Sequence, residues 1–266
     1  MLLRADEALV LAGLCDSIER ARALIMEGKA LCGAQKLLKP SEKIKNPELL
    51  RLKGSSDEFV SRGAYKLKRA FEIFDISAKN KICIDVGAST GGFTDILLRQ
   101  GAKKVYCIDV GYNLLDWKIR SDPRVVVMEK TNARFLSANS FDELPSFGAT
   151  DVSFISLKAV FPAVFSVLLP GSDFIALVKP QFEADRDEVG EKGVVRDEGV
   201  HSKVLNEICT FLYERQLSVY GIDHSPIKGP EGNIEFLLHI KNDGLSVRAS
   251  EKQISAAVQS AHENLC

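Results

Sequence analysis

Apolar residues fall along this chain in two rhythms. From residue 81 onward, short runs of β-favouring residues (KICIDVG, KVYCIDV, RVVVME, TDVSFI and FIALVK) alternate with stretches of helical spacing such as 93–100 and 159–168. Runs of four to eight such residues bounded by turn signals read as buried strands, and their alternation with helices predicts an α/β domain built on a parallel sheet. Two later runs, LSVYGIDHS and NIEFLLHIK, stand too close together for a helix between them and predict an antiparallel pair.

Ahead of residue 60 the rhythm differs. Ala8, Leu9, Leu11 and Ala12 fall toward one side of a short helix ending at Gly13, and a second helix runs from a cap at Asp16 and Ser17 to Gly28, with short strands after it. The polar segment GSSDEF, 54–59, has the composition of a linker. The expected division is therefore 1–58 for a small α+β domain with its linker and 59–266 for the large domain. Just inside the large domain, Leu67, Ala70, Phe71 and Phe74 recur at helical spacing, with Lys66 in the first turns of that helix.

Length and charge refine this division. The 266 residues leave room for one medium domain and one small one. Net charge is only −1, but residues 1–70 carry 14 Lys and Arg against 9 Asp and Glu, while the remainder carries 21 against 27. A basic front end suits a polyanion. Arg20, Arg22 and Lys29 lie on or beside the second helix and Lys36, Lys39, Lys43 and Lys45 on the strand-like part, a candidate face for phosphates.

Other classes are disfavoured. Cys15, Cys32, Cys83, Cys107, Cys209 and Cys266 form no CxxC pair, and His201, His224, His239 and His262 lack ligand spacing, so neither a metal site nor a disulfide framework is expected. Arg4, Asp6 and Glu7 interrupt any apolar signal segment at the front, and the apolar stretch 159–169 contains Pro162 and falls short of the roughly 20 residues that span a bilayer. A soluble, cytoplasmic protein with no membrane partner is expected. Oligomeric state is left open.

Candidate chemistry gathers at strand ends. DVGASTGGFTDILL follows the first large-domain strand and opens a helix; Gly87, Gly91 and Gly92 permit a tight turn and close approach to a ligand, while the helix start favours a negative group. Ser89 stands where a dinucleotide fingerprint has its second glycine, and no Gly-Lys-Ser follows, so neither that fingerprint nor a P-loop is matched. Asp109 closes the next strand, placed to accept hydrogen bonds from ribose hydroxyls. Lys179 directly precedes Pro180, which lacks the N–H a ladder needs and so stops the strand with an ammonium at the sheet's carboxyl edge. Asp151 and Glu235 also border apolar runs. Each has an ordinary solvated reading when taken alone.

Together these words resemble known families. The spacing of Arg4, Asp6, Leu9, Gly13, Ser17, Arg20, Ala23, Ile25 and Gly28 resembles the small alpha-L RNA-binding domain first named from ribosomal protein S-four, with Leu31, Cys32 and Gly33 where that family has Val-Asn-Gly. SRGAYKL, DVGASTGGFTD, IDVGYNLLDWKIRSDPRV, DVSFISL, KPQFEADRDEVGEKGVV and GPEGNIEFLLHI resemble the TlyA family of rRNA cytidine 2'-O-methyltransferases, historically also named hemolysins, over nearly the whole chain. The resemblance implies a Rossmann-like, FtsJ-like methyltransferase sheet ending in an antiparallel hairpin, behind the RNA-binding domain. It also implies S-adenosylmethionine as cofactor and ribosomal RNA as partner. Asp85, Gly87, Ser89, Gly91 and Gly92 would line the cofactor, Asp109 its ribose and Asn132 its adenine. Arg4, Arg20, Arg22, Lys29 and Lys36 would meet RNA. Lys66, Asp151, Lys179 and Glu235 match the Lys-Asp-Lys-Glu tetrad of ribose 2'-O-methyltransferases.

Those residue types suit the reaction. A ribose hydroxyl is a poor nucleophile, so its proton must leave to a positioned base as the oxygen attacks. A lysine accepts a proton only as the neutral amine. Lys179 is assigned as the base or hydroxyl-orienting residue, Asp151 and Glu235 as orienters of the lysines, and Lys66 as a substrate-positioning charge. The charged loop EADRDEVGEKGVVRDEG reads as a lid or as a plain surface excursion. Two other functions stay open: a non-catalytic rRNA-binding assembly factor with a vestigial pocket, and the lytic activity in the family's older name.

Overall fold

The computed structural model describes residues 3–12, 14–15, 17–32, 35–44, 50–52, 59–229 and 231–265. Two compact units divide the chain, Met1–Glu58 and Phe59–Cys266. Gly13, Asp16, Gly33, Lys45 and residues 54–58 of the expected linker lie outside the described residues.

In the first unit, β1 (Leu3–Arg4) leads into α1 (Ala5–Leu11) and α2 (Ile18–Met26), followed by β2 (Ala30–Cys32), β3 (Gln35–Lys36), β4 (Lys43–Ile44) and β5 (Leu50–Leu52). The Ser17 hydroxyl caps α2 by accepting the Arg20 N–H at 3.1 Å. Past the other end of α2, Gly28 turns the chain at φ +67°, where a side chain would be strained. Ala5, Ala8 and Leu9 pack on Ala21, Ile25, Leu37 and Ile44. Leu11 departs from expectation: α1 begins at Ala5, its buried stripe runs through residues 5, 8 and 9, and Leu11 falls off that stripe, 74 % exposed.

The second unit starts with α3 (Ala64–Ile73), whose Ala64, Leu67 and Ala70 are buried. Then come β6 (Ile82–Val86), α4 (Gly92–Arg99), β7 (Lys104–Ile108), α5 (Trp117–Arg120), β8 (Val125–Met128) and β9 (Phe147–Thr150). The chain continues through α6 (Leu157–Val167), β10 (Asp173–Val178), α7 (Glu198–Tyr213), β11 (Ser218–His224), β12 (Phe236–Lys241) and α8 (Glu251–Leu265). Among the described residues the strands form one seven-stranded sheet in the order β11-β12-β10-β9-β6-β7-β8. Strands β6 to β10 pair in parallel, and β12 runs antiparallel to both β10 and β11.

Helices cover both faces, which explains the unbroken apolar strands. One face of the sheet, including Ile84, Phe174, Ala176 and Phe236, packs on Phe161, Val164, Leu205 and Ile208; the other, including Cys83, Phe147, Ile175 and Leu177, packs on Leu67, Phe93 and Leu97. From β6 the sheet grows outward through β7 and β8, then returns to place β9 on the opposite side of β6. The carboxyl ends of β6 and β9 thus flank a reversal of strand order, where open α/β sheets bind their ligands.

One strand is shifted from its expected place. TDVSFI does not form the fourth strand; β9 is Phe147–Thr150, and Asp151 lies just beyond its end. Gly148 and Ala149 read weakly as strand formers, yet a Cβ on Gly148 would lie 2.3 Å from the Phe174 ring, so close packing between neighbouring strands demands glycine there. The consequence is functional. Asp151 sits on the carboxyl edge together with Lys179, rather than entering a strand from the opposite edge.

Candidate active site

Four charged side chains converge at the reversal point. Lys179 follows the last residue of β10 and precedes the 3-10 turn Pro180–Phe182, so Pro180 does stop the strand with the lysine at its end. Its Nζ lies 2.5 Å from Asp151 Oδ1 and donates to Ser153 Oγ at 2.8 Å. Lys66, in the first turn of α3, places Nζ 2.6 Å from Glu235 Oε2 and 3.6 Å from Asp151 Oδ2. Asp151 thus stands between two lysines. Both lysines and Glu235 are buried. Burial pushes the Glu235 carboxyl above its ordinary value, against the pull of Lys66.

The four side chains open onto a cavity of about 510 Å³ that also borders Gly87, Ala88, Ser89, Thr90 and Gly92 of the glycine-rich loop. Two of the glycines are required by the protein's own backbone. Gly87 has φ +84°, and a Cβ there would lie 3.0 Å from the Asp151 carbonyl oxygen; on Gly92 a Cβ would lie 3.0 Å from the Ala64 N. Close approach at these two points seats the loop against Asp151 and against the start of the helix that carries Lys66. A Gly87→Ala variant is therefore expected to lose about 2 kcal/mol or more of stability. Guanidinium unfolding midpoints check this, and an unchanged midpoint would show that the contact yields at no cost.

Other expected residues stand apart from the cavity wall. Gly91, at φ +93°, turns the chain into α4 against Leu115 and Ile119. Asp109 accepts the Ser89 N–H at 2.8 Å and the Gly111 N–H at 2.7 Å, and so clasps the glycine loop to the end of β7. Thr131 N–H donates to the Asp109 carbonyl at 2.9 Å, which puts Asn132 one residue from this edge; the Asn132 side chain accepts from the Arg134 N–H. Asp85 is fully buried: Oδ2 accepts the Thr94 hydroxyl at 2.6 Å and Oδ1 has no hydrogen-bond partner.

Burial pushes the Asp85 carboxyl up to about 7, with the Thr94 bond opposing and the Asp151 charge reinforcing. A folded-state value above the unfolded one means the native state binds the proton more tightly. That stability is present in full at low pH and is lost as pH climbs from about 4 through 7. The expected result is that Asp85→Asn gains on wild type across this window, by up to about 1.4 kcal/mol per pH unit. Chemical denaturation of both proteins from pH 5 to 8 measures it; parallel curves would contradict it.

Sequence reasoning missed several neighbours. Ser153 and Phe154 were hidden inside a supposed strand; Phe154 has φ +64°, is 89 % exposed on the cavity wall, and lies 5.1 Å from the Phe182 ring. Asn233 is buried and accepts the Val195 N–H at 3.0 Å while donating to the Gly193 carbonyl at 2.9 Å. The charged loop is fastened at two more points. Glu183 accepts from the Ser156 hydroxyl and the Leu157 N–H, and Lys203 pairs with Asp185 and Glu188 at 2.8 Å. Pro230, in the GPEGNIEF segment, lies outside the described residues.

In the first unit, Arg4 and Arg22 meet at one buried carboxylate, Asp6, at 2.9 and 3.1 Å. The Arg4 bond is the main cause that holds Asp6 down at about 2. Lys29 pairs with Glu27 at 3.0 Å, while Arg20 and Lys36 are exposed. No group of three or more His, Cys, Asp or Glu able to hold a metal occurs among the described residues.

The FtsJ-like methyltransferase family matches residues 59–242. A Bacillus subtilis protein named "Putative rRNA methyltransferase YqxC" is 47 % identical over 266 residues, covering 98 % of this chain and 95 % of its own. The Mycobacterium tuberculosis protein named "16S/23S rRNA (cytidine-2'-O)-methyltransferase TlyA" is 38 % identical over 259 residues, 96 % of this chain and 97 % of its own. A solved structure, "Putative hemolysin from Streptococcus thermophilus", aligns with a TM-score of 0.78 at 42 % identity, covering 99 % of this chain and 96 % of the other. With a strand reversal, a glycine loop and a Lys-Asp-Lys-Glu cluster on one cavity, and relatives this similar along nearly its full length, the chain belongs to the FtsJ-like methyltransferase family, in its TlyA group.

Proposed function

We propose that this protein uses S-adenosylmethionine to methylate a ribose 2'-hydroxyl of ribosomal RNA, at a cytidine as in the TlyA-named relatives. The observation that carries the reading is the Lys66–Asp151–Lys179–Glu235 cluster opening onto the same cavity as the glycine loop. A volume of about 510 Å³ is in the range of small-molecule sites.

The residues fit the cofactor. Gly87 and Ser89, on the cavity wall, hold left-handed turns that bring backbone close to a ligand, and Asp109, which clasps that loop, keeps lone pairs for ribose hydroxyls. S-adenosylmethionine supplies an electrophilic methyl on a sulfonium. Lys179, once it has released its own proton and stands as the neutral amine, orients the attacking hydroxyl and takes its proton at Nζ. Asp151, 2.5 Å away, stabilises the ammonium so formed, and its second partner, Lys66, keeps that carboxylate in place while Glu235 balances Lys66. Phe154, exposed on the cavity wall, offers a face on which the target base stacks. The first unit adds Arg20, Lys29 and Lys36 as an RNA-binding surface, with Arg4 and Arg22 partly committed to Asp6.

An assembly factor with a vestigial pocket is the second reading, and equilibrium binding separates the two. The enzyme reading requires the protein to bind S-adenosylmethionine and to transfer its methyl to ribosomal subunits; a protein that binds the subunits but not the cofactor would fit the assembly factor. No helix among the described residues is long and apolar enough to cross a membrane.

A further inference from the structure

The cavity borders carry four cations: Arg62, Lys66, Lys179 and Lys192. Two are committed to carboxylates, as described above. Arg62 is anchored through one guanidinium nitrogen, which donates to the Lys228 carbonyl at 2.8 Å. Lys192 is exposed, and its ammonium has neither a hydrogen-bond nor an ion-pair partner among the described residues.

The backbone beneath Lys192 is held in an unfavourable shape. Lys192 has φ 60° and ψ 19°, the left-handed region that costs a side chain about 1 kcal/mol or more, and Gly193 follows at φ +72°. Gly190 N–H donates to the Val194 carbonyl and Gly193 N–H to the Gly190 carbonyl, closing a tight turn. Val194 and Val195 are buried beneath it. Asn233 completes the arrangement: its amide grips the turn through both Val195 N and Gly193 O, and it lies two residues before Glu235. The turn that presents Lys192 is thereby pinned to the segment that delivers a member of the buried cluster. Of the non-glycine residues held at positive φ, Ser89, Phe154 and Lys192 border the cavity, and Lys192 is the charged one of the three.

We propose that Lys192 binds a backbone phosphodiester next to the methylated ribose, and that Asn233 is the positioning residue that holds it there. The inference rests on the RNA-ribose reading above. A ribose inside a polynucleotide is flanked by phosphates, and an unpaired lysine beside the cavity provides a charge for one of them. Against the four cations stand three carboxylates on the cavity, Asp151, Glu231 and Glu235, so the positive excess is one charge and loss of Lys192 removes it.

The test compares full-length wild type, Lys192→Ala, Lys192→Arg, Asn233→Ala and the double variant. Methyl transfer to ribosomal subunits is measured at saturating S-adenosylmethionine and several salt concentrations, with cofactor affinity measured in parallel. Lys192→Ala is expected to raise KM for the subunits about tenfold with kcat nearly unchanged, and to make the log–log salt slope of kcat/KM shallower by about 0.7 to 0.9. Lys192→Arg keeps the charge and restores most of the KM. Asn233→Ala raises KM without weakening the cofactor, and adding Lys192→Ala to it costs little more, because both act through one contact. If Lys192→Ala matches wild type in KM and salt slope, the phosphate contact is wrong while the methyltransferase reading stands. If wild type transfers no methyl to subunits, both fall.

Discussion

Replacing Lys179 with alanine is expected to lower single-turnover methyl transfer by about a thousandfold while leaving S-adenosylmethionine affinity within about twofold, since a positioned proton acceptor contributes roughly 10² to 10⁴ to such reactions. The size follows from the geometry. Lys179 Nζ is fixed by Asp151 at 2.5 Å and Ser153 at 2.8 Å at the end of a buried strand, so its loss removes both the proton acceptor and a close partner of Asp151. Lys179→Arg separates these roles: a guanidinium keeps the charge but does not give up its proton in proteins. The arginine variant is expected to be nearly as slow as the alanine variant. Full activity in Lys179→Ala would remove this residue from the reaction.

The largest effect on stability is expected at Lys66. Glu235 is fully buried, and its close cation is the Lys66 ammonium at 2.6 Å. Deleting one member of a buried pair leaves the other charge uncompensated, which costs about 3–5 kcal/mol. Lys66→Met should therefore lower the unfolding free energy by about that amount, and a second change, Glu235→Gln, should recover much of it. The pH dependence has a definite sign. Burial already raises Glu235, and without Lys66 the folded-state value rises further above the unfolded one, so stability is lost as pH climbs from about 4.3 upward. Denaturation at pH 5.5 and pH 8 should show the larger loss at pH 8. A loss independent of pH would point to packing rather than charge.

The sequence made the sheet legible where strands are buried on both faces and rich in Val and Ile, as in Ile82–Val86, Lys104–Ile108 and Asp173–Val178. Phe147–Thr150 escaped because its centre is Gly148 and Ala149, weak strand formers, with Gly148 demanded by the Phe174 ring beside it and not by strand propensity. Charged residues beside apolar runs pointed to Asp151, Lys179 and Glu235, and the resemblance to ribose methyltransferases added Lys66. What sequence could not convey was pairing: Asp151 between two lysines, and Glu235 bound to a lysine 169 positions earlier in the chain. The glycine loop read as ligand-shaped, whereas Gly87 and Gly92 are also dictated by backbone approaches to Asp151 and Ala64. Arg4 and Arg22 read as RNA ligands, but both bond Asp6, Arg4 from two residues before it and Arg22 only with the two helices folded together. Asn233 stood out only as the first residue of a predicted strand, because its partners lie about 40 positions away.

The central claim is that the cluster activates a ribose hydroxyl, and the position of the transferred methyl tests it most directly. Ribosomal subunits are labelled with tritiated-methyl S-adenosylmethionine and the RNA is hydrolysed in alkali, which cleaves next to every free 2'-hydroxyl and spares a 2'-O-methylated one. Label is expected to run in alkali-resistant dinucleotides with wild type and to be lost with Lys179→Ala. Label recovered in mononucleotides, as a methylated base would give, would contradict it.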